Sequence, residues 1–125
     1  MIKIPNSIEI KQSPQKGLGV FATQKICKDE VIEITPLIEL NTYQSSNVLF
    51  DYRFYYPRNG NNRIYVVALG YGSLYNHSNQ NNADWRDCGP MEFEFFATKD
   101  IEKGEEIFIH YGTQQYFDLR KINWL

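Results

Sequence analysis

The stretch Lys103-Gly104-Glu105-Glu106-Ile107-Phe108-Ile109-His110-Tyr111-Gly112 changes character twice within ten residues. A Lys-Gly pair has turn chemistry, because glycine adopts backbone angles closed to other residues. Two carboxylates follow, and Ile107–Ile109 then reads as a short strand. Tyr111 leaves that strand beside Gly112, so a phenol stands at a strand end with room next to it for a ligand. A buried structural tyrosine has the same local sequence, so the phenol alone does not separate packing from chemistry.

Upstream, Ala68-Leu69-Gly70-Tyr71-Gly72-Ser73-Leu74-Tyr75-Asn76-His77-Ser78 runs from a glycine-rich segment into polar side chains. Asn76 can donate and accept, His77 titrates, and Ser78 carries a hydroxyl. Such a cluster can hold an amino-acid-like ligand, or it can be an Asx turn that satisfies its own backbone. No G-x-S-x-G elbow surrounds Ser78, which argues against a nucleophilic serine. The apolar-free run Ser78-Asn79-Gln80-Asn81-Asn82 belongs at the surface and places Asn76 and His77 at an element boundary. Nearer the start, Gly17-Leu18-Gly19 precedes Val20-Phe21-Ala22. Two glycines permit a sharp turn and a close backbone approach to a ligand, but the third glycine and following helix of a dinucleotide fingerprint are missing.

The residues around Lys103–Gly112 also repeat. Phe21–Ile34 (FATQKICKDEVIEI) and Phe96–Ile109 (FATKDIEKGEEIFI) are identical at eight of fourteen positions. Each copy reads as strand end, polar turn and second strand, and two copies are too few for a solenoid, so the expected cause is a favoured local hairpin used twice. Further apolar or alternating runs at Ser7–Ile10, Gly19–Ala22, Val31–Ile34, Leu37–Leu40, Ile64–Leu69 and Met91–Ala97, with Ile107–Ile109, predict a mainly β chain. Helical periodicity is weak, its best segments being Val48–Phe54, Ser73–His77 and Gln114–Ile122. Asn59-Gly60-Asn61-Asn62 is turn chemistry.

A length of 125 residues suits one domain with one modest core. Nine Tyr and eight Phe exceed what core filling requires, so some aromatics are expected to line a site. The net charge of −2, with both signs mixed, gives no basic stripe for direct nucleic-acid binding and is compatible with a basic protein tail as partner. No run approaches a membrane span and Met1-Ile2-Lys3-Ile4-Pro5 lacks a signal peptide's apolar core, so a soluble, intracellular protein is expected. Cys27 and Cys88 read as free thiols, and with His77 and His110 scattered singly no zinc spacing is present.

In order, the glycine turn at 17–19, Asn76-His77-Ser78 and Lys103–Gly112 resemble the SET-domain family, in which lysine methyltransferases carry a GxG, an Asn-His-Ser motif and a Gly-Glu-Glu stretch ending in Tyr. The resemblance runs from about Ile8 to Gly112, and the short chain is similar to the minimal viral or bacterial SET proteins. It implies a single SET domain over 1–125, with short strands in several small sheets, little helix, and 113–125 as a C-terminal tail or lid. It also implies a pseudoknot, in which the segment after Ile107–Ile109 is tucked through a loop near the Asn-His motif and brings Tyr111 beside Asn76.

The function so implied is transfer of a methyl group from S-adenosylmethionine to a lysine side chain of a protein, a histone tail being one candidate, with S-adenosylhomocysteine as product and no metal. Lys16, Gly17, Leu18 and Gly19 would supply backbone contacts to the methionine part of the cofactor, Asn76 and His77 would hold its amino-acid and adenine parts, and Tyr111 would be both a cofactor neighbour and the catalytic tyrosine. Tyr52 and Tyr75 are expected in the lysine channel, with core packing an equal reading of Tyr52. Ile109 stands where many relatives carry the Phe or Tyr that helps set the degree of methylation, so the product degree is open. The zinc-binding cysteine flanks of many histone-directed relatives are absent, which leaves Tyr116, Phe117 and Trp124 to close the site or to meet a second subunit in a homodimer. Two other classes keep the same residues: a SET-like module that binds peptide or cofactor without turnover, and a β-rich structural protein in which all three motifs are turns.

Overall fold

Ile8–Ser13 (β1) and Gly17–Ala22 (β2) form an antiparallel hairpin in which Ile8 faces Ala22 and Ser13 faces Gly17. The computed structural model describes residues 2–14, 17–40, 52–58 and 62–111. The remaining strands are Val31–Leu40 (β3), Phe54–Tyr56 (β4), Ile64–Ala68 (β5), Asn76–His77 (β6), Ala83–Asp87 (β7), Glu92–Ala97 (β8) and Phe108–Ile109 (β9). They build a five-stranded antiparallel sheet in the order β4-β5-β3-β8-β7 and a two-stranded parallel sheet of β6 with β9. The mainly β, several-sheet architecture agrees with expectation.

Two expected runs, Val31–Ile34 and Leu37–Leu40, are one strand, although Pro36 lies between them. Proline lacks the N–H of a central ladder. Here β3 changes partner at that point: residues 31–36 pair with β8 and residues 37–40 with β5. The Pro36 carbonyl still accepts from Leu69 N–H at 3.1 Å. The register also shifts between Val31 and Glu33, so Ile32 is an extra residue opposite β8. Simple alternation would bury Ile32 and turn Glu33 outward; the bulge instead buries both.

The helix expected at Val48–Phe54 is corrected where it can be followed, since Phe54 begins strand β4, while residues 48–51 lie outside the described residues. The helix expected at Ser73–His77 is a single 3-10 turn, Gly72–Leu74, followed by extended Tyr75 and β6. Gln114–Ile122 lies outside the described residues. Strand β7 is not among the expected runs; in it Ala83 and Trp85 are buried, Asp84 is half-buried, and Arg86 and Asp87 are exposed.

The five-stranded sheet curls until its two outer strands meet. Phe54 of β4 packs edge-on against Trp85 of β7 with ring centroids 5.2 Å apart, and Arg58 lies over the Trp85 ring at 4.0 Å. Phe93 and Phe95 of β8 fill the space beneath, 5.7 and 6.2 Å from the Phe54 ring. Much of the aromatic surplus is therefore core, because curling brings large inward side chains from both edges together.

The repeated segments pair with each other, which corrects the local-hairpin expectation. Ile26 and Ile101, at equivalent positions, exchange both backbone hydrogen bonds at 2.8 Å and are fully buried. Ala22 N–H donates to Glu105 O at 2.9 Å, and its counterpart Ala97 donates to Glu30 O at 3.0 Å. Gly104 N–H returns to Ala22 O and Asp29 N–H to Ala97 O, both at 2.8 Å. Asp29 and Gly104 occupy the same left-handed place in the turn, with φ of 72° and 89°. Each copy's turn is thus completed by the other copy, 75 positions away in the chain.

Candidate active site

Threading places the site. β6 and β9 run parallel, Asn76 beside Phe108 and His77 beside Ile109. A parallel pair needs a long connection, supplied here by β7 and β8. The loop after β6 then closes over the incoming segment. Ser78 N–H donates to Ile109 O at 3.0 Å, Asn82 Nδ2 donates to Glu106 O at 3.0 Å, and Asn82 Oδ1 accepts from Phe108 N–H at 2.8 Å. From the other side Ile107 N–H donates to Val20 O of β2 at 2.7 Å. Residues 106–109 are therefore held between the β1–β2 hairpin and the Asn-His strand, as a pseudoknot requires.

Asn76 joins the motifs. Its Nδ2 donates to Leu18 O at 3.0 Å and to Glu106 Oε2 at 2.8 Å. Both partners are acceptors, which fixes the amide orientation. The other carboxylate oxygen of Glu106 accepts from Ser13 Oγ at 2.8 Å. Gly19 is where this arrangement touches the backbone of β2: a Cβ there would lie 2.4 Å from Glu106 Oε2 and 2.9 Å from Asn76 Nδ2. The glycine is thus needed for close approach by protein side chains. Glu106 and Ser13 carry no role in the sequence reading, and the only signal for Glu106 was a carboxylate set directly before the apolar run.

Tyr111 is buried and held at both ends. Its backbone N–H donates to His77 Nδ1 at 3.1 Å, and its hydroxyl donates to the Tyr75 carbonyl at 2.9 Å. An accepting Nδ1 assigns the His77 proton to Nε2. The buried His77 ring meets Tyr111 at 5.3 Å and His110 edge-on at 4.7 Å. The His77 side chain therefore serves the backbone that carries Tyr111.

Tyr75 is fully buried and stacks against Phe95 at 4.9 Å, with its hydroxyl donating to Glu33 Oε1 at 2.8 Å. It meets Tyr111 through its carbonyl; its phenol points into a different set of contacts. Glu33 Oε2 accepts the Tyr71 N–H at 3.3 Å. Burial pushes the Glu33 carboxyl up to about 7, opposed by its bonds from Tyr75 and Tyr71. Burial, followed by the charge of Glu33, holds the Tyr75 phenol well above its usual value. Of the other expected site residues, Leu18 and Tyr52 are exposed, Ile109 is buried, and Lys16 and the tail residues Tyr116, Phe117 and Trp124 lie outside the described residues. Cys27 and Cys88 are both free.

The model of the SET domain family matches residues 17–112. The chain belongs to the SET domain family. This SET domain is 28% identical over 121 residues to a Schizosaccharomyces pombe protein named "Histone-lysine N-methyltransferase, H3 lysine-37 specific", covering 92% of this chain and 80% of the relative. It also superimposes with a TM-score of 0.74 on the crystal structure of a Plasmodium falciparum protein classed as a candidate histone methyltransferase, at 34% identity, covering 90% of this chain and 99% of that one. The SET domain's matched span begins at Gly17, the first residue of β2, and ends one residue past Tyr111. Among its described residues, no helix is long and apolar enough to cross a membrane, and no three His, Cys, Asp or Glu side chains group as a metal site.

Proposed function

We propose that this SET domain transfers a methyl group from S-adenosylmethionine to a lysine side chain of a protein, with histone H3 the first substrate to try. The observation that supports it most is the convergence of the Leu18 carbonyl, Asn76 and Tyr111 through the β6–β9 threading. The residues suit the cofactor's amino-acid part. Both Nδ2 bonds of Asn76 go to protein acceptors, and its Oδ1 has no donor among the described residues, which leaves an acceptor for an ammonium or amide N–H. A Cβ at Gly17 would meet nothing within 4 Å, so the start of β2 is open for backbone contacts.

When bound, S-adenosylmethionine supplies a methyl group already activated by its sulfonium. The protein's tasks are then alignment and a neutral amine. A free lysine is neutral only about once in a thousand molecules near pH 7.4, a handicap of roughly 4 kcal/mol. Aromatic burial of the amine disfavours the ammonium and lowers that handicap. The Tyr111 proton is committed to the Tyr75 carbonyl, so its oxygen presents lone pairs that accept from an amine N–H and orient the nitrogen. A phenol bonded in this way orients the amine without acting as its base.

The test incubates the protein with methyl-labelled S-adenosylmethionine and recombinant histones, with mass spectrometry to locate label. Label on a histone lysine, incorporated more slowly in Tyr111→Phe, supports the proposal. Tight cofactor binding with no transfer to histones or lysate proteins would make the chain a SET-like binding module.

A further inference from the structure

We propose that Glu33 is a positioning residue for methyl transfer: turned inward by the bulge at Ile32, its carboxyl anchors the Tyr75 phenol and the Tyr71 amide, and so sets the carbonyl on which the Tyr111 hydroxyl rests. This rests on the methyltransferase reading above. The linkage is short and continuous. Tyr75 O–H reaches Glu33 Oε1 at 2.8 Å, Tyr71 N–H reaches Oε2 at 3.3 Å, and the Tyr75 carbonyl takes the Tyr111 hydroxyl at 2.9 Å. Glu33 is 1% exposed, and a carboxyl so deep persists only where hydrogen bonds hold it. Gly70, with φ of +64°, brings the turn before Tyr71 so close that a Cβ would lie 3.0 Å from Glu33 Oε2. One side chain thus fixes both ends of the 3-10 turn that leads into Asn76 and His77.

The anchor depends on charge. As a carboxylate, Glu33 accepts from both donors; once protonated, one oxygen carries a hydrogen of its own and competes with a donor already there. The change falls near neutrality, since burial lifts this carboxyl to about 7. The groups facing Glu33 are the Tyr75 phenol, the Tyr71 amide with its phenol nearby, the Gly70 backbone and the Thr35 side chain, together with Phe95 across the strand pair. The imidazoles of His77 and His110 lie beside Tyr111, so the comparison removes Glu33 and keeps both histidines.

Wild type, Glu33→Gln and Tyr75→Phe are compared by two measurements. One is the single-turnover rate on histone H3 at saturating cofactor between about pH 6 and 9. The other is the 13Cζ resonance of labelled Tyr111 with S-adenosylhomocysteine bound, over the same range. In the wild type the rate rises, and the Tyr111 resonance moves, with a midpoint near 7. In Glu33→Gln that component is gone, the maximal rate falls about tenfold, the equivalent of one hydrogen bond, and cofactor KM is little changed. Tyr75→Phe cuts the same linkage and loses the same component, which decides the matter if Glu33→Gln does not fold. A wild-type pH profile in both variants, or a Tyr111 resonance indifferent to Glu33, would overturn the proposal. If the wild type methylates no histone, the functional reading is what fails, and the resonance measurement still decides whether Glu33 governs Tyr111.

Discussion

Gly19→Ala is a small change with a large steric consequence. The new Cβ would sit 2.4 Å from Glu106 Oε2, whereas ordinary van der Waals contact begins at 3.4 Å, so the oxygen must retreat by about 1 Å. It has little freedom to do so, because Oε1 is bonded to Ser13 and Oε2 to Asn76, both at 2.8 Å. Retreat stretches the Asn76 bond past hydrogen-bond range and crowds Nδ2, itself only 2.9 Å from the new atom. Overpacking costs about 1–3 kcal/mol and a partly buried, charge-assisted bond about 1–2 kcal/mol. The alanine returns about 0.5–1 kcal/mol by stiffening the unfolded chain. The net is about 2 kcal/mol, or roughly 8 °C in Tm for a chain of this size.

Thermal unfolding followed by circular dichroism, with calorimetric titration of S-adenosylhomocysteine, measures both expected losses. Gly17→Ala is the control. Its Cβ meets nothing within 4 Å, but its φ of +74° still strains an alanine, so it should cost about 1 kcal/mol and leave Asn76 in place. Wild-type stability and affinity in Gly19→Ala would refute the account of Glu106 as the clamp between β2 and Asn76.

Tyr111→Phe should slow methyl transfer severalfold to a thousandfold, about 1–4 kcal/mol of barrier, and should also cost about 1 kcal/mol of stability, because the buried Tyr75 carbonyl loses its donor; single-turnover kinetics and urea unfolding read the two effects separately. Glu33 binds its proton more tightly in the folded chain (about 7) than in the unfolded one (4.5), so its contribution is complete below pH 4.5 and disappears as the pH rises through 7. That difference amounts to about 3 kcal/mol, and unfolding curves between about pH 4 and 8 should show this slope in the wild type and its loss in Glu33→Gln. Asp29→Gly should raise stability by about 0.5–1 kcal/mol, since Asp29 holds a φ of 72° at the place its counterpart Gly104 fills with glycine; a lower Tm would show that the Asp29 side chain contributes more than its strain costs.

Turn chemistry and strand alternation are local, and they were legible. Whereas the turn expected at Gly17–Gly19 is the paired start of β2, the runs Gly19–Ala22, Ile64–Leu69 and Met91–Ala97 and the strand-end place of Tyr111 could be read from neighbouring residues alone. So could the motif order that identifies the family. The continuity of β3 through Pro36 could not, because it depends on β8 and β5 meeting β3 on either side of that residue. Nor could the repeat's meaning, since Ile26 and Ile101 each look like an ordinary hairpin residue until they bond to each other. Glu33 shows the limit most clearly. In Val31-Ile32-Glu33-Ile34 the period of two turns the carboxylate to water, and only the register imposed by β8, whose Phe95 lies 62 positions on, inserts Ile32 as a bulge and points Glu33 at Tyr75. The sequence by itself determined most of the extended runs and the motifs they carry, because those follow from each residue's own backbone and its neighbours; β4 and β7 were not among those runs. Which side chains face one another, and hence that Glu106 clamps Asn76 and that Glu33 stands behind Tyr111, was decided by strand register, and register is settled between segments far apart in the chain.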